Sequence, residues 1–219
     1  MNLVDRITRV LSLPAAYRTF SQLVAKDHWK GYLTEYVKPQ PGEKVLDVGC
    51  GPGDVLNFMP AVEYTGFDVS AEYIQAARTH FGNRGRFWCS DVGLVALEQE
   101  LGTFHLVLAT GVLHHLDDDR ALKLFALAKR ALCPEGRLMT YDGCFVPDQS
   151  RLARWVLRQD RGKFVRQRHE YERLAATSFS KLDTHIRHDL LRIPYTHLIM
   201  RCSNQVAAGN GPGQSASGL

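Results

Sequence analysis

The chain has 219 residues, 45% of them hydrophobic and 23% charged, and a formal net charge of +4, as in an ordinary globular domain. No apolar run approaches the ~20 residues that span a bilayer, and charged residues interrupt the N-terminal stretch 1–20, which therefore does not predict a secretory signal. The five cysteines include no C-x-x-C pair, which favours reduced thiols in a cytoplasmic protein over a disulfide framework or a zinc site.

The first part of the chain predicts helices that end at a turn. Residues 1–38 are expected to form two or three short helices, the N-terminal cover, and "PQPGEK" at 39–44 is a turn that ends them. "KVLDVG" at 44–49 is a buried strand rich in branched residues, and "YTGFDV" at 64–69 is a second strand. The pattern then becomes helical over 70–82.

Strands and helices alternate from this point. The 70–82 helix has Ser70 as N-cap and stops at Gly82. Strands are predicted at 85–92, 104–110 and 137–143, with an amphipathic helix at 117–136 between the last two, N-capped by Asp118. This alternation predicts an α/β fold, a parallel sheet with helices on both faces, which binds ligands beyond the carboxyl ends of its strands.

The last third of the chain follows another pattern. Residues 146–177 are Arg-rich and helical with a break at 160–163, and we call 146–179 the lid segment. The stretches 180–191 and 195–203 predict two strands of a hairpin. The tail 204–219 has almost no apolar content and is expected to be disordered, which leaves a single domain over 1–203.

Three glycines and two aspartates follow the first strand in "VLDVGCGPGD", 45–54. Gly49, Gly51 and Gly53 allow the backbone to turn sharply and to approach a ligand. The spacing is not the G-x-G-x-x-G of dinucleotide sites, and Asp47 and Asp54 would repel a pyrophosphate. Negative charge instead suits S-adenosylmethionine (AdoMet), which carries an ammonium and a sulfonium and has no phosphate.

Two further aspartates end neighbouring strands. Asp68 lies nineteen residues after Gly49, where a carboxylate can accept both ribose hydroxyls. Asp91 ends the third strand, where a carboxylate can accept the adenine amino group. The alternative is that these aspartates are only polar residues at strand ends, since turns favour Asp.

The ordered motifs resemble those of the class I AdoMet-dependent methyltransferases, in the small-molecule branch described as methyltransferase type 11 or 12. The matching pieces, in order over roughly residues 40 to 145, are "VLDVGCGPGD", "TGFDVS", "CSDV", "LVLATGVLHHLDD" and "LCPEGRLMTYD". The resemblance implies a Rossmann-like, seven-stranded, mostly parallel sheet that ends in an antiparallel hairpin. It also implies AdoMet as cofactor, held by Asp47, Gly49, Cys50, Gly51, Gly53, Asp68, Val69, Asp91, Val92, Thr110 and His115.

A pair of histidines follows the fourth strand, at the face where donor and acceptor should meet. An imidazole titrates near pH ~6.5, so His114 is the candidate general base. The alternative is that both histidines are structural. "HHLDDD", 114–119, also raises a metal site, but adjacent histidines point in different directions and Asp118 is assigned to the helix cap, so we expect no metal.

The acceptor site is expected between the fifth strand and the lid segment. Tyr141 and Asp142 end the strand, and the alternative for Asp142 is a bond to backbone in the turn before Gly143. Four basic residues of the lid segment suit an anionic acceptor: Arg161, Lys163, Arg166 and Arg168. Trp155, Phe164 and Tyr171 either line this pocket or pack in the core.

We therefore expect a methyltransferase that acts on a small molecule, at oxygen, mainly by alignment of the two substrates. An RNA or protein methyltransferase is the alternative, supported only by the eleven Lys or Arg against five Asp or Glu over 151–192. A non-catalytic AdoMet-binding protein is the third. Membrane contact is not expected, and nucleic acid is not the preferred partner.

Overall fold

A computed structural model describes residues 28–90, 98–160 and 162–204. The strands are β1 Lys44–Val48, β2 Glu63–Asp68, β3 Gly85–Cys89, β4 Phe104–Thr110, β5 Leu132–Phe145, β6 Arg166–Gln167, β7 Lys181–Arg187 and β8 His197–Ser203. The α-helices are α1 His28–Tyr32, α2 Ala71–Phe81, α3 Asp118–Ala131, α4 Arg151–Arg158 and α5 Arg168–Ala176. A π-helical turn, Leu33–Val37, continues α1, and 3₁₀ turns lie at Asp54–Phe58, Gly82–Arg84, Glu98–Glu100 and Leu113–His115.

The sheet confirms the predicted α/β architecture. Seven strands follow the order β3-β2-β1-β4-β5-β8-β7. The first five run parallel, and β8 is antiparallel to both β5 and β7. The two-residue β6 is an eighth strand beside β5, which the sequence did not predict. The strand order reverses between β1 and β4, so a ligand crevice is expected at their carboxyl ends.

Alternate residues of the central strands belong to two hydrophobic cores, one on each face of the sheet. In β4, Val107 and Ala109 belong to one core and Leu106 and Leu108 to the other. Successive side chains of a strand point to opposite faces, and here both faces are covered by a hydrophobic core. All four of these residues are therefore buried, which is why they form an uninterrupted apolar run. This explains why "FHLVLAT" reads as a central strand.

The helix boundaries are confirmed at one site and corrected at another. Ser70 caps α2 by accepting a hydrogen bond from Tyr73 N, and Gly82 ends the helix as predicted. For α3, however, the N-cap is Asp117, whose Oδ1 accepts from Arg120 N at 2.9 Å, and not Asp118. The helix also stops at Ala131 rather than 136, because β5 begins at Leu132, pairing with Phe104 before a register shift.

The predicted helical lid segment contains two helices with a strand between them. The structure places α4 and α5 on either side of β6, so the chain between the helices is tied to the end of β5. The predicted hairpin is confirmed as the antiparallel β7 and β8. The predicted disordered tail and the first 27 residues of the N-terminal cover lie outside the described residues.

A buried arginine fixes the end of the N-terminal cover. Arg137 of β5 donates to Val37 O at 2.9 Å and binds the Glu43 carboxylate at 2.8 Å. Although burial would raise the pKa of Glu43, its hydrogen bond to Arg137 contributes to a net lowering. The contacts hold the segment after α1 against the opposite, amino-terminal end of the parallel strands.

All five cysteines lie in the described residues, and each is a free thiol, as predicted. Among the described helices, none combines the length and the apolar character needed to cross a membrane.

Candidate functional site

The glycine loop, residues 49–53, has the backbone that its sequence requires. Gly49, Gly51 and Gly53 have φ values of 72°, 54° and 78°, in the left-handed region that residues with a Cβ avoid. A Cβ on Gly49 would meet Val112 Cγ2 at 2.5 Å, whereas a Cβ on Gly51 would meet nothing within 4 Å. Gly49 is therefore needed for close packing, and Gly51 presents bare backbone to open space.

Asp47 is buried at the end of β1, with only 2% of its surface exposed. Tyr64 Oη donates to Asp47 Oδ2 at 2.5 Å. Burial raises the pKa of the Asp47 carboxyl to about 7, against the lowering effect of the Tyr64 hydrogen bond, and repulsion from Asp68 adds to the rise. A cation near Asp47 would offset the cost of ionising a buried carboxyl and its repulsion from Asp68.

Asp68 joins the end of β2 to the glycine loop. Its Oδ2 accepts from Gly51 N at 2.9 Å, and its Oδ1 accepts from Ser70 N at 2.8 Å. A carboxylate oxygen has two lone pairs, so each oxygen can still accept a ribose hydroxyl. The neighbouring Val69 is 71% exposed, which is unusual for a branched apolar side chain and suits the face of a purine ring.

The other predicted donor-site residues are partly described. Cys50 packs against β2, since a Cβ on Gly66 would meet its Sγ at 2.8 Å, and burial raises its pKa. Thr110 ends β4 and contacts Tyr32, and His115 is exposed after that strand. Asp91 and Val92 lie outside the described residues, so their adenine contacts stay predictions.

Tyr32 of the N-terminal cover reaches the site and is fully buried. Its ring centroid lies 5.1 Å from that of Tyr141, at the end of β5, with an angle of 50° between the planes. Burial raises the pKa of Tyr32, the Thr110 contact lowers it, and the charges of Asp47 and Asp142 raise it further. Tyr32 is therefore close enough to both Asp47 and Asp142 for their charges to act on its hydroxyl.

His114 is held by carboxylates on both sides. Its Nδ1 lies 2.8 Å from Asp142 Oδ1, and its Nε2 lies 3.5 Å from Asp160 Oδ1. Burial lowers the pKa of His114, but the Asp142 hydrogen bond and the Asp160 contact outweigh it and raise the pKa to about 9. A protonated imidazole between carboxylates does not accept a proton, so this geometry does not favour the predicted base role.

The two carboxylate oxygens of Asp142 differ in their contacts. Its Oδ1 also accepts from His114 N at 3.2 Å, a backbone contact with the turn after β4 and not with the turn next to Asp142 that the sequence left open. Its Oδ2 is buried and has no hydrogen-bond partner among the described residues. A buried carboxylate oxygen without a partner is costly, which makes Oδ2 a candidate contact for a ligand hydroxyl.

The loop between α4 and β6 passes directly over His114. Phe164 N donates to His114 O at 3.0 Å, and a Cβ on Gly162 would lie 2.0 Å from His114 Cδ2. Tyr195 Oη, from the loop before β8, donates to Asp160 Oδ2 at 2.6 Å. The lid segment is therefore fastened at the residue where the acceptor is expected.

Arg166 was predicted to bind the acceptor, and its surroundings contradict this. Its guanidinium donates to the Asp118 carboxylate at 2.7 Å and to the carbonyl oxygens of Leu113, Leu116 and Phe164 at 3.0, 2.7 and 3.0 Å. Its Nε also donates to Asp118 Oδ1 at 3.0 Å, so all three nitrogens are engaged and Arg166 ties the turn after β4 to the lid segment.

Of the other three basic candidates, the two in the described part of the chain, Lys163 and Arg168, show no shared anion site. Arg168 is exposed and pairs with Glu172 at 2.6 Å, and Lys163 is exposed. Arg161 lies outside the described residues. Among the aromatic candidates, Tyr171 is a core residue that donates to Gly143 O at 3.0 Å, whereas Trp155 and Phe164 are exposed. The described residues therefore do not support an anionic acceptor.

Sequence reasoning missed three residues of this site. Asp160 and Tyr195 reach His114 through loops that are distant in sequence, and no local pattern marks them. Tyr64, in contrast, lies on the same face of β2 as Asp68. Its position across from Val45 in the register could have placed its hydroxyl near Asp47.

A family model described as a methyltransferase domain matches residues 45–136. The ubiquinone biosynthesis O-methyltransferase of Idiomarina loihiensis is 32% identical over 113 residues, which are 49% of this chain and 45% of that protein. The probable tRNA methyltransferase 9B of Mus musculus is 31% identical over 105 residues, 47% of this chain and 22% of that protein. The chain thus spans less than half the length of these curated relatives.

Solved structures share the whole fold at lower identity. The phosphoethanolamine N-methyltransferase 2 of Haemonchus contortus, in complex with S-adenosyl-L-methionine, is similar with a TM-score of 0.68 and 14% identity, covering 94% of this chain and 60% of that one. The family match falls on the glycine loop and the two strand ends that follow it, and the solved structure shares their architecture. Residues 45–136 thus match a methyltransferase domain, and the fold is that of a methyltransferase solved in complex with S-adenosyl-L-methionine.

Proposed function

We propose that this protein transfers the methyl group of AdoMet to a hydroxyl oxygen of a small molecule. The observation that carries the donor half is the bare backbone of Gly51 beside Asp47 and Asp68, in a loop whose charge suits a cationic ligand without phosphate. Asp47 would attract the ammonium of AdoMet, directly or through water. Asp68 would accept the ribose hydroxyls, and Val69 would lie against the adenine.

Asp142 carries the acceptor half. Its buried Oδ2 would accept the hydrogen bond of the acceptor hydroxyl, while its Oδ1 stays bound to His114. His114 then acts as a positioning residue, because its hydrogen bond fixes the carboxylate. This assignment replaces His114 by Asp142 as the group that receives the hydroxyl proton.

Methyl transfer is an in-line displacement at carbon. The bond between sulfur and the methyl carbon breaks, and its electron pair stays on sulfur, which becomes neutral. A bond forms between that carbon and the acceptor oxygen, and the hydroxyl proton passes to the Asp142 carboxylate. Because the donor is already activated, alignment and exclusion of water supply most of the rate.

The first experiment is calorimetric titration of AdoMet and S-adenosylhomocysteine into wild-type protein and into Asp68→Ala. We expect micromolar binding that collapses in the variant, because the ribose contacts are lost. Absence of binding to either ligand in folded wild-type protein would contradict the donor site.

The second experiment measures S-adenosylhomocysteine formation with hydroxylated and amine acceptors. Asp142→Asn should keep donor binding and lose roughly 10²-fold in turnover with a hydroxyl acceptor, since a carboxamide does not take up the proton. Turnover of amines but not of hydroxyls would refute O-methylation. Donor binding without turnover of any acceptor would support the non-catalytic alternative.

An RNA acceptor remains the second candidate function, because the relatives include a probable tRNA methyltransferase. It predicts binding to RNA whose affinity falls steeply with salt. The described Arg166 and Arg168 are engaged within the protein and do not add to such a surface. Salt-insensitive turnover of a small acceptor would exclude RNA as the main substrate.

A further inference from the structure

A cluster of three side chains lies at the edge of the proposed acceptor site, where the turn after β4 meets the lid segment. His114, His115 and Asp160 each offer one metal-ligating atom, and these atoms all lie within 4.8 Å of one another. His114 is only 7% exposed, whereas His115 is exposed at the surface. The two imidazole centroids are 4.2 Å apart. The cluster therefore offers one buried and one exposed nitrogen ligand.

The spacing of the two fixed atoms suits ligands of a common ion. His114 Nε2 and Asp160 Oδ1 are 3.5 Å apart, longer than the ~2.7–2.9 Å of a hydrogen bond between charged groups. Two ligands that each lie ~2.0–2.2 Å from a tetrahedral ion are separated by about 3.4 Å. The observed distance therefore matches that between two ligands of one metal ion.

The outer contacts of both ligands are already in place. His114 directs its other nitrogen, Nδ1, to Asp142 Oδ1 at 2.8 Å, which leaves Nε2 for the ion. Asp160 accepts from Tyr195 Oη at 2.6 Å and from Gly162 N at 3.0 Å. Hydrogen bonds of this kind orient metal ligands and strengthen binding.

We propose that His114, His115 and Asp160 bind a first-row divalent transition metal, with Zn²⁺ as the preferred ion. Two imidazole nitrogens and one carboxylate favour such ions over Mg²⁺ and Ca²⁺, which prefer oxygen ligands. Three protein ligands leave at least one position for water or an acceptor group. The ion replaces the proton on His114 Nε2, which leaves to solvent.

The ion would join the turn after β4 to the lid segment, because Asp160 belongs to the lid segment and both histidines belong to the turn. The sequence did not predict this site. In "HHLDDD", Asp117 caps α3 and Asp118 binds Arg166, so neither is available to an ion. The carboxylate of the proposed site is that of Asp160, 45 residues after His115.

The test titrates Zn²⁺ by calorimetry into the full chain, untagged and stripped of metal, without donor or acceptor. We expect one Zn²⁺ per chain, with affinity at least roughly tenfold weaker in His115→Ala and in Asp160→Ala. His80→Ala is the matched control, because His80 is an exposed histidine of α2, and it should bind as the wild type does. Mg²⁺ in excess should not compete.

A second readout uses Co²⁺, whose visible absorption reports nitrogen ligation at low coordination number. The absorption should appear in wild type and in His80→Ala, and should be lost in His115→Ala. Tyr195→Phe should weaken Zn²⁺ binding about tenfold, since it removes the hydrogen bond to Asp160. Circular dichroism establishes that each variant is folded.

Two results would overturn the proposal. One is the absence of saturable one-to-one Zn²⁺ binding to folded wild type. The other is binding whose affinity and Co²⁺ spectrum are unchanged in His115→Ala and Asp160→Ala, which would place the ion elsewhere. Since no donor or acceptor is present, failure of this proposal and failure of the proposed methyl transfer are measured separately.

Discussion

Replacing Asp47 by Asn should stabilise the ligand-free protein as the pH rises. The pKa of Asp47 is raised to about 7 in the folded protein, chiefly by burial, from an ordinary value of 3.8. A raised carboxyl pKa gives stability that is fully present below pH ~4 and is lost as pH rises through ~7, because the unfolded chain ionises first. At one pKa unit per 1.36 kcal/mol, the whole shift corresponds to about 4 kcal/mol.

The pH window of the measurement follows from the same pKa values. Between pH 5 and pH 8, wild type should lose about 2 to 3 kcal/mol of unfolding free energy through Asp47. Asp47→Asn should lack this loss, since the amide stays neutral and its oxygen can still accept from Tyr64 Oη. Urea unfolding at pH 5, 6.5 and 8, followed by circular dichroism, compares the two proteins.

Two further results would decide whether the reasoning holds. Tyr64→Phe removes the hydrogen bond that lowers the Asp47 pKa, so its stability should continue to fall above pH 7. The Asn variant should also bind AdoMet more weakly although its fold is more stable. A free-energy difference between Asp47→Asn and wild type that is the same at pH 5 and pH 8 would show that Asp47 ionises normally.

Three other perturbations test the remaining parts of the site. Arg166→Met should cost about 3 kcal/mol of unfolding free energy, because buried carbonyl oxygens lose their donor. Arg168→Met, at an exposed ion pair, should cost less than about 1 kcal/mol. Equal losses in urea unfolding would contradict the assigned role of the Arg166 hydrogen bonds. Thiol titration under native conditions should modify the exposed Cys89 first and the buried Cys144 slowly, since burial raises the pKa of Cys144 to about 12; equal rates would refute this. Gly162→Ala should cost about 1 to 3 kcal/mol of unfolding free energy, since its Cβ would overlap the His114 ring. An unchanged melting temperature would show that the loop between α4 and β6 can move away from His114.

The donor half of the site could be predicted from the sequence because its signals are local. The glycine loop, Asp68 and the N-cap Ser70 all follow from short patterns in which strand, turn and helix alternate. The seven-stranded, mostly parallel sheet with its antiparallel hairpin followed from the family resemblance. Backbone conformation and ligand chemistry are encoded there within a few residues.

The acceptor half could not be predicted in the same way, because its contacts close over long stretches of chain. Arg166 was assigned a role from residue type and Asp142 from its place at a strand end, yet what each does depends on the backbone groups that the fold brings within hydrogen-bond distance. Asp160 has no motif, and it approaches His114 only because the chain after α4 turns back toward β5. The basic residues of the lid segment predicted an anionic ligand, but Arg166 binds Asp118 and backbone carbonyl groups of the protein itself.

The contacts of Arg166 also determine how this part of the protein opens. Its guanidinium binds three carbonyl groups on two segments, the turn Leu113–Leu116 and Phe164 of the lid segment. Neither segment can unfold locally without breaking bonds to the other, so their backbone amides should exchange with solvent deuterium as one cooperative unit. If an acceptor binds at Asp142 as proposed, a concerted opening of both segments would set an upper limit on how often it can enter from this side.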